Sequence, residues 1–206
     1  KKTDVLISDD FVEFISSTNK TLTDDEIQQI FDTVRLVGSK SDFETLHKVY
    51  NWLVDGIQFI PSDELPQMVK LIDFEHPDRN IFRVVNQLEI EYTSQGEKRP
   101  RIPDVLLYVN GIPLCITELK NPTDARATIY NAWEQINIRY WRDIPHLLHY
   151  CPLACISDGV KTRLGTVRTP YEHFYAWRRV NDGDQITTSP FAETETMIKG
   201  VYSPKR

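Results

Sequence analysis

The segment RIPDVLLYVNGIPLCITELKNP, residues 101–122, decides the fold. Two apolar runs are joined at Asn110-Gly111, and this dipeptide between apolar runs is typical of a β-hairpin. Each run carries charge at an end: Asp104 lies in the first run, and Glu118 and Lys120 lie in the second. Charged groups are costly to desolvate unless they are paired or bind a metal. The hairpin is therefore the first candidate for a functional site.

The pairing of the two hairpin strands decides whether Asp104 and Glu118 share a face. Directly opposed residues share a face, so an undistorted two-residue turn would place the two carboxylates on opposite faces. A three-residue loop with Gly111 in the left-handed conformation pairs Tyr108 with Ile112 and brings both carboxylates to one face, one diagonal apart. We expect this odd register, made by such a loop or by a bulge, although Asn-Gly alone favours the two-residue turn.

The residue types at the hairpin ends suggest metal chemistry. Glu118 and Lys120 lie two apart in a strand and therefore share a face. Two close carboxylates repel each other unless a cation lies between them, and Mg²⁺ takes one or two carboxylates together with waters. Such a metal activates a bound water, and a lysine beside it can orient that water. The pattern fits metal-assisted phosphodiester hydrolysis, although this spacing also arises by chance at solvated strand ends.

Composition indicates an ordinary globular α/β chain. Of the 206 residues, 40% are hydrophobic and 26% are charged, which is enough to bury a substantial core. The net charge of −6 argues weakly against nucleic acid, but residues 1–120 carry 13 Lys/Arg against 21 Asp/Glu and residues 121–206 carry 11 against 9. No stretch resembles a membrane span or signal peptide. The three cysteines form no disulfide framework, so we expect a reducing, cytoplasmic location.

Helical periodicity dominates the first 57 residues. Thr23 is a predicted N-cap with acidic residues in the following turn, and Gly56 is a predicted stop for a helix that begins near residue 42. The apolar face predicted for that second helix comprises Phe43, Leu46, Val49, Tyr50 and Leu53.

The later sequence predicts strands around one long helix. QMVKLIDF and NIFRVVNQLEIEYT are β-rich, SQGEKRP reads as a polar turn, and the hairpin follows. Residues 123–143 predict a helix begun by Pro122-Thr123-Asp124, CPLACISDG predicts a strand, and YEHFYAWRRV predicts a short helix. Residues 181–206 read as a loop or tail. The order is helices and then β-β-β-α-β, in which the helix lets the last strand run parallel to an earlier one.

The motifs IPD (102–104) and ELK (118–120), in this element order, resemble the PD-(D/E)xK nuclease superfamily. LIDFEHPDRNIFRVVNQLEIEY, the hairpin and CISDGVKTRLGT followed by YEHFYAW resemble the N-terminal nuclease domain of the R (HsdR) subunit of type I restriction enzymes. The resemblance covers residues 66–180. It implies an α/β, restriction-endonuclease-like mixed sheet flanked by helices. We expect one nuclease domain, with a helical part at 1–65, the core at 66–180, and 181–206 as a tail or linker toward motor domains that this chain lacks.

The resemblance also implies site residues, a cofactor and partners. Asp104 and Glu118 match the metal-ligating acids, Lys120 matches the lysine, and the backbone carbonyl of Leu119 matches a further metal ligand. The expected cofactor is Mg²⁺, with ATP used only by the full-length subunit. The expected partners are double-stranded DNA and the methylation and specificity subunits of a restriction complex, with no membrane.

One departure from the resembled family concerns the helix after the hairpin. The family has Gln followed four residues later by Tyr, whereas here Arg139 holds that position and Tyr140 lies five residues after Gln135. In an α-helix Gln135 and Tyr140 would lie roughly 140° apart, which favours Tyr140 as a core residue. A one-residue π-bulge would restore the family geometry. Gln135 is expected to orient the lysine or to touch DNA.

Several basic residues are candidates for DNA contact, with ordinary solvation as the alternative. Arg139 and Arg142 flank the apolar stripe of the same helix, and three further basic residues lie near the start of the hairpin. These three are Lys98, Arg99 and Arg101.

The sequence therefore predicts Mg²⁺-dependent endonucleolytic cleavage of DNA, as in a type I restriction enzyme R subunit. Asp104, Glu118, Lys120 and Gln135 are the expected catalytic set. Two alternatives stay open: a repair nuclease of the same superfamily, and a non-catalytic docking module with a nuclease fold. The intact Asp, Glu and Lys set argues against the docking module, because a scaffold has no need of buried charge.

Overall fold

A computed structural model of the chain describes residues 4–61, 65–124, 126–186, 189 and 191–203. Nine strands are defined in this part of the chain. They are β1 (Ile57–Phe59), β2 (Gln67–Val69), β3 (Phe82–Asn86), β4 (Ile90–Ser94), β5 (Glu97–Arg101), β6 (Val105–Val109), β7 (Ile112–Leu119), β8 (Leu153–Ser157) and β9 (Thr162–Gly165).

Helices flank these strands in the described ranges. They are α1 (Ser8–Thr18), α2 (Asp24–Arg35), α3 (Asp42–Asp55), α4 (Ile129–Glu134), α5 (Trp141–Asp143), α6 (Pro145–Leu148) and α7 (Ala192–Gly200), with a π-helical turn at Gln135–Tyr140 and 3₁₀ turns at Pro77–Arg79 and Tyr171–His173. No helix of the described residues is long and apolar enough to cross a membrane.

The hairpin β6–β7 lies in the middle of a five-stranded mixed sheet with strand order β3-β6-β7-β8-β9. Every neighbouring pair is antiparallel except β7 and β8, which run parallel. The helical segment 129–143 connects these two strands, as a parallel pair requires. The predicted restriction-endonuclease-like mixed sheet flanked by helices is confirmed.

The hairpin register combines a tight turn with a bulge. Asn110 and Gly111 have φ values of 51° and 77°, and they form a two-residue turn that pairs Val109 with Ile112. The predicted three-residue loop, which would pair Tyr108 with Ile112, is therefore wrong. The register then shifts by one residue next to Leu107, which pairs with Cys115, so that the predicted bulge is present. Asn110-Gly111 thus forms the two-residue turn that its residues favour, and the bulge farther along the strands shifts the register by one residue.

The tip of this hairpin is buried beneath the N-terminal part of the chain. The carbonyl of Gly111 accepts the N–H of Ile7 at 2.9 Å. Asn110 is fully buried; its side chain accepts the N–H of Ile81 and donates to the carbonyl of Leu71, each at 2.8 Å. These bonds satisfy polar groups that would otherwise be costly to bury. The turn thus fixes the N-terminal helices to the sheet.

The first three helices follow their sequence signals in part. Thr23 caps α2 with a full capping box, and Gly56 ends α3 with φ 95°, both as predicted. On α3, Val49 and Leu53 are buried, but Phe43 and Tyr50 are 75% and 56% exposed. The prediction that these two aromatic side chains belong to the buried face is wrong, because the helix rests on the core along a narrower stripe than its apolar pattern suggests.

Three further boundaries differ from expectation. The helix after β7 begins at Ile129 with Thr128 as its capping residue, because turns at residues 121–124 and 126–127 precede it. The segment expected to be a polar turn contains β5, which pairs with β4 around a tight Gln95-Gly96 turn. The predicted short helix at YEHFYAWRRV is only the 3₁₀ turn at Tyr171–His173, after which the chain is extended.

The segment expected to be a loop or tail contains α7. Met197 on this helix is buried with Cys115, Cys155 and Leu164 in a small second core on the sheet face opposite the main core. The side chain of Glu193 accepts the N–H of Thr162 at 2.7 Å. The helix therefore docks on β8 and β9, and the expectation of a loop is wrong for residues 192–200.

Candidate active site

The bulge in the hairpin places Asp104 and Glu118 in one row across the sheet. Val105 pairs with Thr117, and Asp104, directly before β6, continues this register toward Glu118, so that the two residues share a face. One oxygen of Asp104 accepts the N–H of Leu119 at 2.8 Å. Glu118 is fully buried, whereas Asp104 is partly exposed. The two carboxylates thus lie side by side, and only one of them faces solvent.

Two neutral donors hold the buried carboxylate of Glu118. Tyr140 donates its hydroxyl to Oε1 at 2.7 Å, and Gln135 donates Nε2 to Oε2 at 2.7 Å. Gln135 Nε2 also lies 2.7 Å from the hydroxyl oxygen of Tyr140. These contacts fix the rotamer of Glu118 and satisfy its oxygens within a closed network.

Lys120 joins this network through Gln135. Its Nζ donates to Gln135 Oε1 at 2.9 Å and lies 3.9 Å from Glu118 Oε2. Its main-chain N–H donates to the carbonyl of Ser157 on β8 at 2.8 Å, so the parallel strand holds the backbone at this point. The side chain is only 16% exposed. Gln135 thus bridges the ammonium group and the carboxylate.

The pKa of Glu118 is raised to about 8. Burial is the main cause, since it penalises the charged form, and the neighbouring Asp104 adds like-charge repulsion. The hydrogen bond from Tyr140 and the charge of Lys120 lower the pKa of Glu118 but do not offset burial. Burial and the negative charge of Glu118 also raise the pKa of Tyr140, so its hydroxyl remains a proton donor.

The π-helical turn explains the unusual spacing of Gln135 and Tyr140. Both residues belong to the turn Gln135–Tyr140, whose wider winding brings residues five apart onto one side of the helix. The π-bulge that would restore the family geometry is present. Tyr140 is 1% exposed, as a core residue would be, but its hydroxyl lies in the site. The interpretation of Tyr140 as a core residue is confirmed, and its hydroxyl in addition contacts Glu118, a contact that the family spacing indicated.

The basic candidates lie in different surroundings. Arg139 is exposed, and no ion pair to it is found among the described residues. Arg142 pairs with Asp143 at 2.8 Å. Each of the three others also has an acidic partner: Lys98 with Glu91 at 3.5 Å, Arg99 with Glu97 at 3.1 Å, and Arg101 with Asp143 at 2.6 Å.

The oxygen atoms at this end of the sheet suit a hard divalent cation. Asp104 and Glu118 offer carboxylate oxygens, and the carbonyl of Leu119 lies between Glu118 and Lys120 in the chain. Among the described residues no group of three or more His, Cys, Asp or Glu side chains could hold a metal. Two carboxylates without nitrogen or sulfur donors fit Mg²⁺, which usually keeps several waters, better than they fit Zn²⁺.

The mixed sheet, with one parallel pair and helices on its faces, defines a restriction-endonuclease-like fold, and the polar cluster lies at the end of its central strands. The chain belongs to the family described as "Type I restriction enzyme R protein N terminus", which it matches over residues 1–173.

The names of individual relatives agree with this family assignment. The type I restriction enzyme HindI endonuclease subunit of Haemophilus influenzae is 32% identical over 203 residues, or 95% of this chain and 19% of the relative. MjaIXP of Methanocaldococcus jannaschii is 30% identical over 187 residues, or 89% and 18%. The type I restriction enzyme SauMSSORF170P endonuclease subunit of Staphylococcus aureus is 27% identical over 176 residues, or 84% and 17%. The chain thus spans about a fifth of the length of these relatives.

Proposed function

We propose that this domain hydrolyses DNA phosphodiester bonds with the help of Mg²⁺. The observation that carries the proposal is the row of Asp104 and Glu118, with Lys120 tied to the buried carboxylate through Gln135. Asp104, Glu118 and the carbonyl of Leu119 would hold the cation. When bound, Mg²⁺ would lower the pKa of a water and offset charge on the phosphoryl group.

The side chains around the row would have separate tasks. Lys120 would position the attacking water and stabilise the negative charge that develops as it adds to phosphorus. Gln135 would orient Lys120, and it would share with Tyr140 the task of holding Glu118 toward the cation. Neutral donors make the closest contacts to Glu118, with Lys120 at 3.9 Å, and a bound cation would displace the proton that the raised pKa of Glu118 favours.

The wider setting of this reaction is also a proposal. We propose that the domain acts within a larger R subunit that uses ATP elsewhere in its chain, together with methylation and specificity subunits. The substrate would be double-stranded DNA. Two features support this setting: the match to the family, and relatives about five times longer than this chain that are named as type I restriction enzyme endonuclease subunits. The expected cytoplasmic location stays a prediction.

The experiment uses the complete enzyme with Asp104→Ala, Glu118→Ala and Lys120→Ala in separate preparations. Each variant is expected to lose DNA cleavage and to keep ATP hydrolysis and folding. Calorimetric titration with Ca²⁺ or Mn²⁺ separates the roles, because the two acidic variants should lose metal binding and Lys120→Ala should not. Glu97→Ala, on an exposed carboxylate in β5, is the matched control.

Two outcomes would contradict the proposal. Near wild-type cleavage by Asp104→Ala and Glu118→Ala would show that these two carboxylates do not hold a catalytic metal. A wild-type complex that assembles but never cleaves, with any metal, would favour the alternative of a docking module with a nuclease fold.

A further inference from the structure

Gln87 extends the row of carboxylates onto a third strand. It follows β3 directly, and its N–H donates to the carbonyl of Asp104 at 3.0 Å. This bond continues the register in which Asn86 pairs with Val105. Because Asp104 in turn lies beside Glu118, the three residues follow one another across the ends of β3, β6 and β7.

The backbone of Gln87 is in an unusual conformation for this position. Its φ is +51°, in the left-handed region that non-glycine residues rarely adopt. Gln95 and Asn110 share this conformation, but each precedes a glycine in a two-residue hairpin turn that requires it. Gln87 is followed by Leu88 and lies in a bend rather than such a turn. Strained backbone of this kind is concentrated at functional sites.

Exposure increases along the row. Glu118 is fully buried, Asp104 is partly exposed, and Gln87 is exposed. The side chain of Gln87 makes no hydrogen bond within the described part of the chain, whereas Glu118 is satisfied by two donors. The carboxamide of Gln87 is therefore exposed beside the carboxylates and available to a substrate that approaches from solvent.

We propose that Gln87 is a substrate-contacting residue whose carboxamide N–H groups donate to a DNA phosphate oxygen beside the scissile bond. This inference rests on the proposed function. The chemistry explains why the residue is neutral. A lysine or arginine next to Asp104 would form an ion pair with that carboxylate and compete with the cation, whereas an amide can donate to a phosphate without neutralising Asp104.

The test compares Gln87 with Gln95 in the complete enzyme. Both are exposed glutamines with nearly equal positive φ, but Gln95 lies in the turn of the β4–β5 hairpin. Gln87→Ala is expected to lower the rate of strand cleavage about tenfold, as for one lost hydrogen bond to a charged group. Gln87→Glu should be slower still, because its charge repels the phosphate. Gln95→Ala and Gln95→Glu should stay within about twofold of wild type.

One further variant and one further assay separate an effect on stability from the loss of a substrate contact. Gln87→Gly removes the side chain but suits the left-handed backbone, so it should be at least as stable as wild type and as slow as Gln87→Ala. ATP hydrolysis should be unchanged in all these variants.

The outcomes are distinct. If the wild-type enzyme shows no cleavage that depends on Asp104, both proposals fail. If wild type cleaves, Asp104→Ala does not, and Gln87→Gly matches Gln95→Ala, only the role of Gln87 fails. Gln87→Glu that cleaves faster than Gln87→Ala would also overturn a phosphate contact, because an added carboxylate would then be helping to hold the metal.

Discussion

Gln135 and Tyr140 lie five residues apart in the chain, yet the side-chain nitrogen of one is 2.7 Å from the hydroxyl oxygen of the other. Both reach the same carboxylate, that of Glu118. An α-helix would hold them roughly 140° apart, so the π-helical turn between them is what makes the shared contact possible. The extra residue widens one turn of the helix, and both side chains still contact Glu118.

Removal of that extra residue is the first prediction. Deletion of Ile138, which is 51% exposed within the turn, should convert the π-helical turn to an α-helix with Gln135 and the tyrosine four residues apart. We expect the domain to fold with equal or greater stability and to keep DNA cleavage in the complete enzyme. Urea unfolding and cleavage assays measure both. Deletion of Ala132, fully buried in α4, is the control that should abolish folding.

The second prediction concerns the buried hairpin turn. A methyl group at Gly111 would overlap the carbonyl oxygen of Ile7, and φ is +77°. Gly111→Ala should therefore destabilise the domain by about 3 kcal/mol or more, as expected when steric overlap adds to backbone strain. Gly96→Ala is the matched control, since Gly96 has φ +81° in an equivalent turn but nothing within 4 Å of an added methyl.

Urea unfolding of the two glycine variants separates strain from steric overlap. Gly96→Ala reports the cost of the left-handed backbone alone, about 1 kcal/mol. Equal decreases in the free energy of unfolding of the two variants would show that the N-terminal segment moves away from the turn without an energetic cost.

Local signals in the sequence predicted the parts of the fold that depend on neighbouring residues. Thr23 and Gly56 mark helix ends because capping satisfies the helix's own backbone groups. The tight Asn110-Gly111 turn also follows from its two residues, both of which adopt positive φ readily. The acids and lysine of the hairpin indicated the candidate site because strand alternation fixes which residues share a face.

Features set by tertiary contacts were harder to predict. The bulge beside Leu107 reconciles a two-residue turn with a row of two carboxylates, and the residues of the turn do not show where along the strands it falls. Phe43 and Tyr50 continue the apolar pattern of α3, but the neighbouring elements cover only part of it. The helix α7 has few apolar residues, and its docking rests on contacts such as Glu193 to Thr162.

The third prediction follows from the raised pKa of Glu118. Its carboxyl group has a pKa of about 8 in the folded protein against 4.5 normally, so between these values the folded state binds a proton that the unfolded state has lost. Without metal, the free energy of unfolding should therefore fall as the pH rises from 4.5 to 8. Glu118→Gln carries no such group, so its stability relative to wild type should increase across this window and then level off.

Urea unfolding in a chelator at about pH 5, pH 7 and pH 9 measures this difference. Glu97→Gln, on an exposed carboxylate, should follow the wild-type pH dependence. Curves for Glu118→Gln and wild type that run parallel across the whole range would show that Glu118 ionises normally in the folded state.

The last prediction concerns Arg139 in the π-helical turn and Arg142 directly after it. Arg139 is exposed and free of ion pairs within the described residues, whereas Arg142 already pairs with Asp143 at 2.8 Å. If Arg139 contacts a DNA phosphate, Arg139→Ala should weaken binding and reduce the slope of log affinity against log salt by about one. Arg142→Ala should have a smaller effect, because Asp143, which also pairs with Arg101, offsets part of its charge.

Fluorescence anisotropy with the 206-residue chain and duplex DNA, at a series of salt concentrations, measures both slopes. Lys20→Ala, which removes an exposed charge between α1 and α2, is the control for the change in net charge and should leave the slope unchanged. A larger effect from Arg142→Ala than from Arg139→Ala would mean that DNA displaces Asp143 from its ion pair. Tight, salt-independent binding would contradict phosphate contact altogether, because released counterions make such contact depend on salt.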